Sequence, residues 1–212
     1  MKEQLTRLYQ RLYDHFGPQR WWPGDTPFEV MLGAVLTQNT NWANVEKAID
    51  NLKSAGLLSY PRLAELPSGL LAEYIRPAGY YNIKAGRLQN LFALIRDRYE
   101  GRVEALLAEE TGVLRQTLLS VKGIGPETAD SIVLYAAGRP VFVVDAYTYR
   151  ILLRHDLICE EAGYDEIQEL FMANLEPDAP LYNEFHALLV STGKEFCRKS
   201  TPRCQGCPLA GP

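Results

Sequence analysis

The chain has no apolar run approaching the ~18 residues that a bilayer-crossing helix needs. Its start, Met1 to Asp14, is an amphipathic stretch with charges throughout, not an apolar core behind a basic cap. The expectation is therefore a cytoplasmic protein with no membrane partner. Repeats and low-complexity tracts are also missing, which excludes solenoids and disordered arrays. Cysteine is scarce, with 4 residues of which three lie near the C-terminal end, so a disulfide-stapled scaffold is excluded. Positive charge is not in excess either. The 22 basic and 26 acidic residues give a net charge of −4, which argues mildly against a nucleic-acid partner unless the signs are segregated. Along the sequence basic residues gather at Lys194, Arg198, Lys199 and Arg203, and acids at 104–110 and 160–169, so the two signs could face different ways, two ordinary solvated faces being the other reading.

What is present describes an ordinary globular chain, 47% hydrophobic and 23% charged over 212 residues, enough for one compact unit or two small lobes. Apolar spacing at three and four residues predicts helices over 5–16, 28–37, 43–54, 70–74, 85–99, 112–120, 126–137, 146–153, 164–174 and 181–196. Pro and Gly break the chain at short intervals between them. Val141 to Val144 alone reads as strand-like, and next to Pro140 it reads equally as a buried extended connection. The fold class is all-α.

The segment Leu118 to Ile132, LLSVKGIGPETADSI, is an apolar helix end, a tight turn with Gly123 and Gly125 flanking Ile124, and a new helix with Pro126 in its first turn. Glycines there allow positive φ and leave amides uncovered, so a phosphate oxygen can approach backbone N–H groups where the helix dipole favours an anion. Ile124 is expected to plug the turn into the core. Twenty residues after Gly125, in PVFVVDAYTYRIL, Asp145 follows four apolar residues and directly precedes a helix. An acid so placed caps the helix. It also stays ionised, and a fixed anion stabilises the positive charge that develops on a deoxyribose as its base departs, so capping and catalysis are compatible.

The hairpin and the acid at this spacing resemble the endonuclease III superfamily of DNA glycosylases, whose signature is a helix-hairpin-helix, a Gly/Pro stretch and a catalytic Asp. The resemblance covers nearly the whole chain. It implies a two-lobed body, with residues 1–25 and 140–196 in one lobe, 26–139 in the other with the helix-hairpin-helix at 112–138, and a cysteine loop at 197–212. It also implies a monomer acting on damaged double-stranded DNA, with Asp145 catalytic and Lys122, Gly123, Ile124, Gly125, Glu127 and Thr128 at the strand. Bifunctional members carry a lysine two residues after the second glycine, where this chain has Glu127, and a carboxylate forms no imine. The implied enzyme is monofunctional. The stretch MLGAVLTQNTNW resembles the helix and loop that fill the gap left by an extruded base, which assigns that role to Gln38, although Gln38 and Asn39 would equally end a helix before Thr40.

Trp21, Trp22 and Trp42 are all the tryptophans, and with Pro23 they sit in or beside loops. Indole faces attract the delocalised positive charge of an N-alkylated purine by ~1 to 2 kcal/mol. The tryptophan pair and the runs quoted above look most like the 3-methyladenine glycosylase branch, which implies a pocket of Trp21, Trp22, Pro23 and Trp42 with Lys194 beside it. Core packing is the other reading of these tryptophans, and His186 reads as a buried polar group on its helix. A glycosylase for mismatched or oxidised bases and a non-catalytic helix-hairpin-helix DNA-binding module are the alternatives. Cys197, Cys204 and Cys207, spaced C-x6-C-x2-C, resemble the start of the loop that holds a 4Fe-4S cluster in endonuclease III relatives, whose fourth cysteine would fall on residue 213, past the end of the sequence. Zinc is the lesser option. Cys159 has no place in the pattern.

Overall fold

The computed structural model describes residues 1–19, 21 and 24–211. Among them every regular element is helical. Two compact units form, one from 1–22 with 139–212 and the other from 23–138. No helix among the described residues is long and apolar enough to cross a membrane.

The central unit contains α2 (Pro27–Leu36), α3 (Trp42–Ser54), α4 (Tyr60–Ala64), α5 (Ser68–Tyr74), a 3-10 turn Arg76–Ala78, α6 (Tyr81–Tyr99), α7 (Val103–Leu107), α8 (Thr111–Leu119) and α9 (Pro126–Ser131). Helix α2 is buried from Phe28 to Leu36 and apolar apart from Glu29, whose carboxylate pairs with Lys53 at 2.8 Å, and it forms the axis of this unit. Thr26 starts it by accepting the Glu29 N–H, with Pro27 preset for the first turn. Phe28, Tyr60 and Phe92 then meet edge to face or tilted, and the Tyr60 hydroxyl donates to the Phe92 carbonyl at 3.1 Å. The predicted helix 126–137 divides: α9 gives way at Ile132 to a π-helical turn that runs to Ala136.

The terminal unit holds α1 (Lys2–Phe16), α10 (Ala146–Arg154), α11 (Tyr164–Met172) and α12 (Ala179–Glu195). Leu5, Leu8 and Leu12 mark the buried stripe of α1. Phe142 stacks on Phe171 at 3.8 Å, and the edges of Tyr182 and Phe185 close on Phe142. Val141 to Val144 is the buried extended connection, not a strand. Among the described residues it pairs with no strand, and the Gln168 amide donates to the Phe142 carbonyl at 2.6 Å, so a side chain satisfies backbone that a sheet would otherwise satisfy. Helices α10 and α12 approach so closely that a methyl group on Gly193 would overlap the Tyr147 ring.

Candidate functional site

In the central unit, α8 and α9 are joined by a turn closed by Val121 N–H to Leu118 O at 3.1 Å and Ile124 N–H to Val121 O at 3.0 Å. Ile124 is buried, as expected of a plug. The two glycines differ from each other. Gly123 alone takes positive φ, at 96°, and a Cβ there would collide with the Arg87 side chain. Gly125 is extended, with φ −96° and ψ 179°, and its missing Cβ leaves open space in front of the start of α9. Lys122, Gly123, Gly125 and Glu127 are exposed, whereas Thr128 is buried. Behind the turn, Arg115 of α8 grips Asp130 of α9 through two bonds of 2.7 and 3.1 Å.

Gln38 is brought onto this hairpin. Its amide donates to Thr128 Oγ1 at 2.8 Å and to the Gly123 carbonyl at 3.4 Å, and its carbonyl oxygen accepts from Arg87. Both ends of the side chain are engaged, so a wedge role requires it to leave these partners. Asn39, the exposed neighbour, is held at φ 54°, a left-handed conformation that asparagine tolerates better than most non-glycine residues.

The loop carrying Gln38 is anchored by a residue that sequence reading missed. Lys84 is 1% exposed and donates to the Leu36 and Ala78 carbonyls at 2.8 and 2.7 Å. Burial, aided by the Arg87 charge, lowers its pKa from 10.5 to about 8. An unfolded lysine titrates near ~10.4, so below pH ~8 both states are charged and the folded state bears the full burial penalty. Between these values the unfolded chain holds a proton that the folded chain has released, and Lys84 makes stability rise with pH, by on the order of 3 kcal/mol. Urea titrations of wild type and Lys84→Met at pH 7 and pH 10 should show the difference moving in favour of wild type. A constant difference would rule out the effect.

In the terminal unit, Asp145 stands at the N-cap of α10. Its Oδ1 accepts the Thr148 N–H at 2.7 Å, and Oδ2 lies 3.6 Å from Nε2 of His186 on α12. The Asp145 side chain is 12% exposed and that of His186 6%. Burial alone would raise the pKa of this carboxyl; His186 and the Thr148 amide outweigh it, so the net shift is downward and the group is an anion at neutral pH. His186 is thus more than a core polar group. The available signal was a histidine on the apolar face with Tyr182, Phe185 and Leu189, which demands a partner, but the partner is 41 positions away (186 − 145) and carries no local trace.

Of the expected aromatic pocket, Trp22 and Pro23 lie outside the described residues. Trp21 is half-buried, with the Lys194 ammonium 5.4 Å from its ring. The chain leading to it is pinned to α12, where Glu184 accepts the Gln19 N–H at 2.6 Å and Ser191 donates to Gln19 Oε1 at 2.7 Å. Trp42 belongs to the central unit, half-buried at the start of α3.

Cys197, Cys204 and Cys207 line one cavity of about 260 Å3 in the terminal unit, together with His155 and Arg154. Burial raises the Cys207 thiol, and the neighbouring Cys197 and Cys204 add to the rise. The expected cluster nevertheless finds no assembled ligand set, because no three His, Cys, Asp or Glu side chains among the described residues converge closely enough to hold a metal ion. The fit fails for zinc on the same ground. Arginines hold the loop instead: Arg150 donates to the Cys197 carbonyl at 2.7 Å, Arg154 to the Arg198 and Lys199 carbonyls at 2.7 and 3.0 Å, and Arg11 to those of Pro208 and Ala210, both at 2.8 Å. Cys159 is exposed and stands apart from this group.

Comparison with known proteins places these features. A family model described as HhH-GPD superfamily base excision DNA repair protein matches residues 32–177. A Methanocaldococcus jannaschii protein provisionally named a DNA repair glycosylase is 49% identical over 208 residues, covering 98% of this chain and 94% of its own. The crystal structure of H. pylori 3-methyladenine DNA glycosylase bound to 1,N6-ethenoadenine superposes with a TM-score of 0.75 at 35% identity, over 92% of this chain and 97% of that one. A trapped endonuclease III–DNA covalent intermediate superposes with a TM-score of 0.83 over 99% of this chain and 93% of that one, at 24% identity, a likeness of fold alone.

Proposed function

The chain belongs to the HhH-GPD superfamily of base excision DNA repair proteins and is a DNA glycosylase, and from that premise we propose that it is a monofunctional enzyme hydrolysing the N-glycosidic bond of alkylated purines such as 3-methyladenine in duplex DNA. The observation that carries this reading is Asp145, an anion fixed at the head of α10. The main-chain amides around Gly123 and Gly125 grip the strand through phosphate and position it without reading sequence. The lesion leaves the stack, at a cost of a few kcal/mol that Gln38 offsets by entering the gap. An N-alkylated purine is cationic, so it departs with the electron pair of the glycosidic bond as a neutral base and needs no general acid. The sugar is left as an oxocarbenium ion, whose charge the Asp145 carboxylate stabilises while water adds to C1′ and passes its proton to that carboxylate, which releases it to solvent. Glu127, exposed in the first turn of α9, stands where a bifunctional relative would carry its lysine, so no imine forms at that position.

The choice of alkylated purines rests on the 35% identity to the H. pylori 3-methyladenine glycosylase and on the Trp21–Lys194 contact in the terminal unit. Alkylated duplex, duplex with an oxidised base and duplex with a mismatch should be offered side by side. The expected result is release of 3-methyladenine and 7-methylguanine, with no covalent adduct trapped by borohydride. Faster excision of the oxidised or mismatched base would overturn the substrate assignment, and a trapped adduct the monofunctional one.

A further inference from the structure

The N-cap of α10 explains only half of the Asp145 carboxylate. Capping requires one oxygen, and Oδ1 supplies it to the Thr148 N–H at 2.7 Å. The other oxygen faces an imidazole delivered by a different helix, with Nε2 at 3.6 Å. His186 is 5% exposed, among Tyr182, Phe185 and Leu189 on the inner face of α12. Packing gives no reason for it, since an apolar residue of similar volume would fill that face without the desolvation that a buried polar ring incurs.

Resting on the reading of Asp145 as the essential carboxylate, the geometry points to His186 as its positioning residue: the imidazole fixes Oδ2 while the α10 amide fixes Oδ1, so that the plane of the carboxylate is set before DNA arrives. The terminal torsion of an aspartate is broad and two-fold; its two oxygens turn together, so a single bond to Oδ1 restrains the plane only within the tolerance of that bond, and an ion-pair contact at Oδ2 narrows it further. Contacts to both oxygens from two packed helices limit that residual freedom. Positioning of this kind matters to rate because displacement of a reacting group by about 1 Å costs up to ~100-fold.

Other charged and titratable groups on the packed elements are turned to other tasks. On α10, Arg150 donates to the Ala146, Gly193 and Cys197 carbonyls, and Tyr147 lies 5.0 Å beneath that guanidinium. From α11, the Tyr164 hydroxyl meets the Val144 N–H at 3.5 Å. On α12, Glu184 accepts from Gln19 and Lys194 stands over Trp21. From α1, Tyr9 packs against Phe185.

The test compares His186→Leu, His186→Gln and Asp145→Asn in single-turnover excision across pH. Gln can offer an amide N–H where Nε2 stands, whereas Leu cannot. His186→Leu is expected to lower the excision rate at pH 7 by about 10- to 100-fold with unchanged affinity for duplex, and to move the acid limb of the pH–rate profile upward, because burial of Asp145 is then opposed only by Thr148. His186→Gln should recover most of the rate. Wild-type rate and profile in His186→Leu would overturn the role, and so would a folded His186→Gln as impaired as the Leu variant with an unmoved acid limb. If the His186 replacements prevent folding, wild type compared with Asp145→Asn decides the matter: with 3 histidines in the chain, the His186 imidazole NMR signals are readily assigned. They should move on Asp145→Asn while those of His15 and His155 stay, and unmoved His186 signals would refute the pairing. An active Asp145→Asn would instead remove the underlying reading of Asp145. An inactive Asp145→Asn beside a wild-type-like His186→Leu would remove only the positioning role.

Discussion

Asp145→Asn is expected to cut base release by about a thousand-fold while leaving duplex binding equal or tighter. A unit negative charge ~4 Å from a developing oxocarbenium centre, in surroundings with an effective dielectric near ~20, contributes ~4 kcal/mol, which corresponds to about three orders of magnitude in rate. Asparagine keeps the shape and loses that charge. It also caps helices as well as aspartate does, so the bond from the Thr148 N–H to Oδ1 has an acceptor in the variant, the fold should be kept at pH 7, and the loss of stability there should be confined to what the charge supplies. Loss of activity without loss of fold is the signature of a catalytic carboxylate as opposed to a helix cap alone. The pH dependence gives a second check. The folded pKa of Asp145 lies below its ordinary value, so its contribution to stability is present above the unfolded value of ~3.9 and is lost as pH falls through the folded value. Acid unfolding of the Asn variant should lack that component. Undiminished base release would strip Asp145 of its catalytic role, and release absent from wild type as well would leave the non-catalytic DNA-binding module as the better description.

What the sequence made legible was local. Leucines at 5, 8 and 12, the largely apolar run of α2 and the Gly-x-Gly turn each write their conformation within a few residues, and those elements form where periodicity and turn chemistry place them. Asp145 was legible for the same reason, because an acid after four apolar residues and before a helix is an N-cap by position. Features that depend on tertiary partners were not. The start of α6 at Tyr81 follows Tyr80, a residue held at φ 47°, and no propensity argument anticipates that. Both glycines of the turn allow positive φ, and which of them uses it is not written in the sequence: Gly123 does and Gly125 is extended. Gln38 on Thr128, His186 on Asp145 and Lys84 on the Leu36 carbonyl join positions far apart in the chain, and such pairs leave no period to read. The cysteine spacing was legible as a pattern but not as a ligand set, because convergence of side chains depends on how a loop is folded, and arginine-to-carbonyl bonds fold this one.

Arg115→Met should destabilise the protein by about 3 to 5 kcal/mol, the range seen when one partner of a buried ion pair is removed. Asp130 is fully buried, and Arg115 meets both of its oxygens in the bidentate geometry that makes guanidinium–carboxylate contacts strong. Methionine preserves much of the volume and removes all of the charge, so the cost is that of a carboxylate left without this counterion in a low-dielectric interior. Against a total stability of ~5 to 15 kcal/mol the loss is a large fraction, equivalent to roughly 6 to 20 °C in Tm for a chain of this size. The effect reaches function through geometry. Arg115 and Asp130 tie α8 to α9 behind the turn, so loosening them frees the amides at Gly123 and Gly125 from their fixed spacing, and duplex affinity should fall together with stability even though neither residue is placed at phosphate. Urea unfolding and duplex-binding titrations on Arg115→Met, Asp130→Leu and the double variant resolve the pair as a thermodynamic cycle. The double variant should recover most of the stability lost by Arg115→Met, because two apolar side chains leave no charge to compensate. A loss below about 1 kcal/mol in Arg115→Met would mean that the remaining partners of Asp130 satisfy the carboxylate unaided, and the tie between the two hairpin helices would then have to be sought in the Ile124 plug.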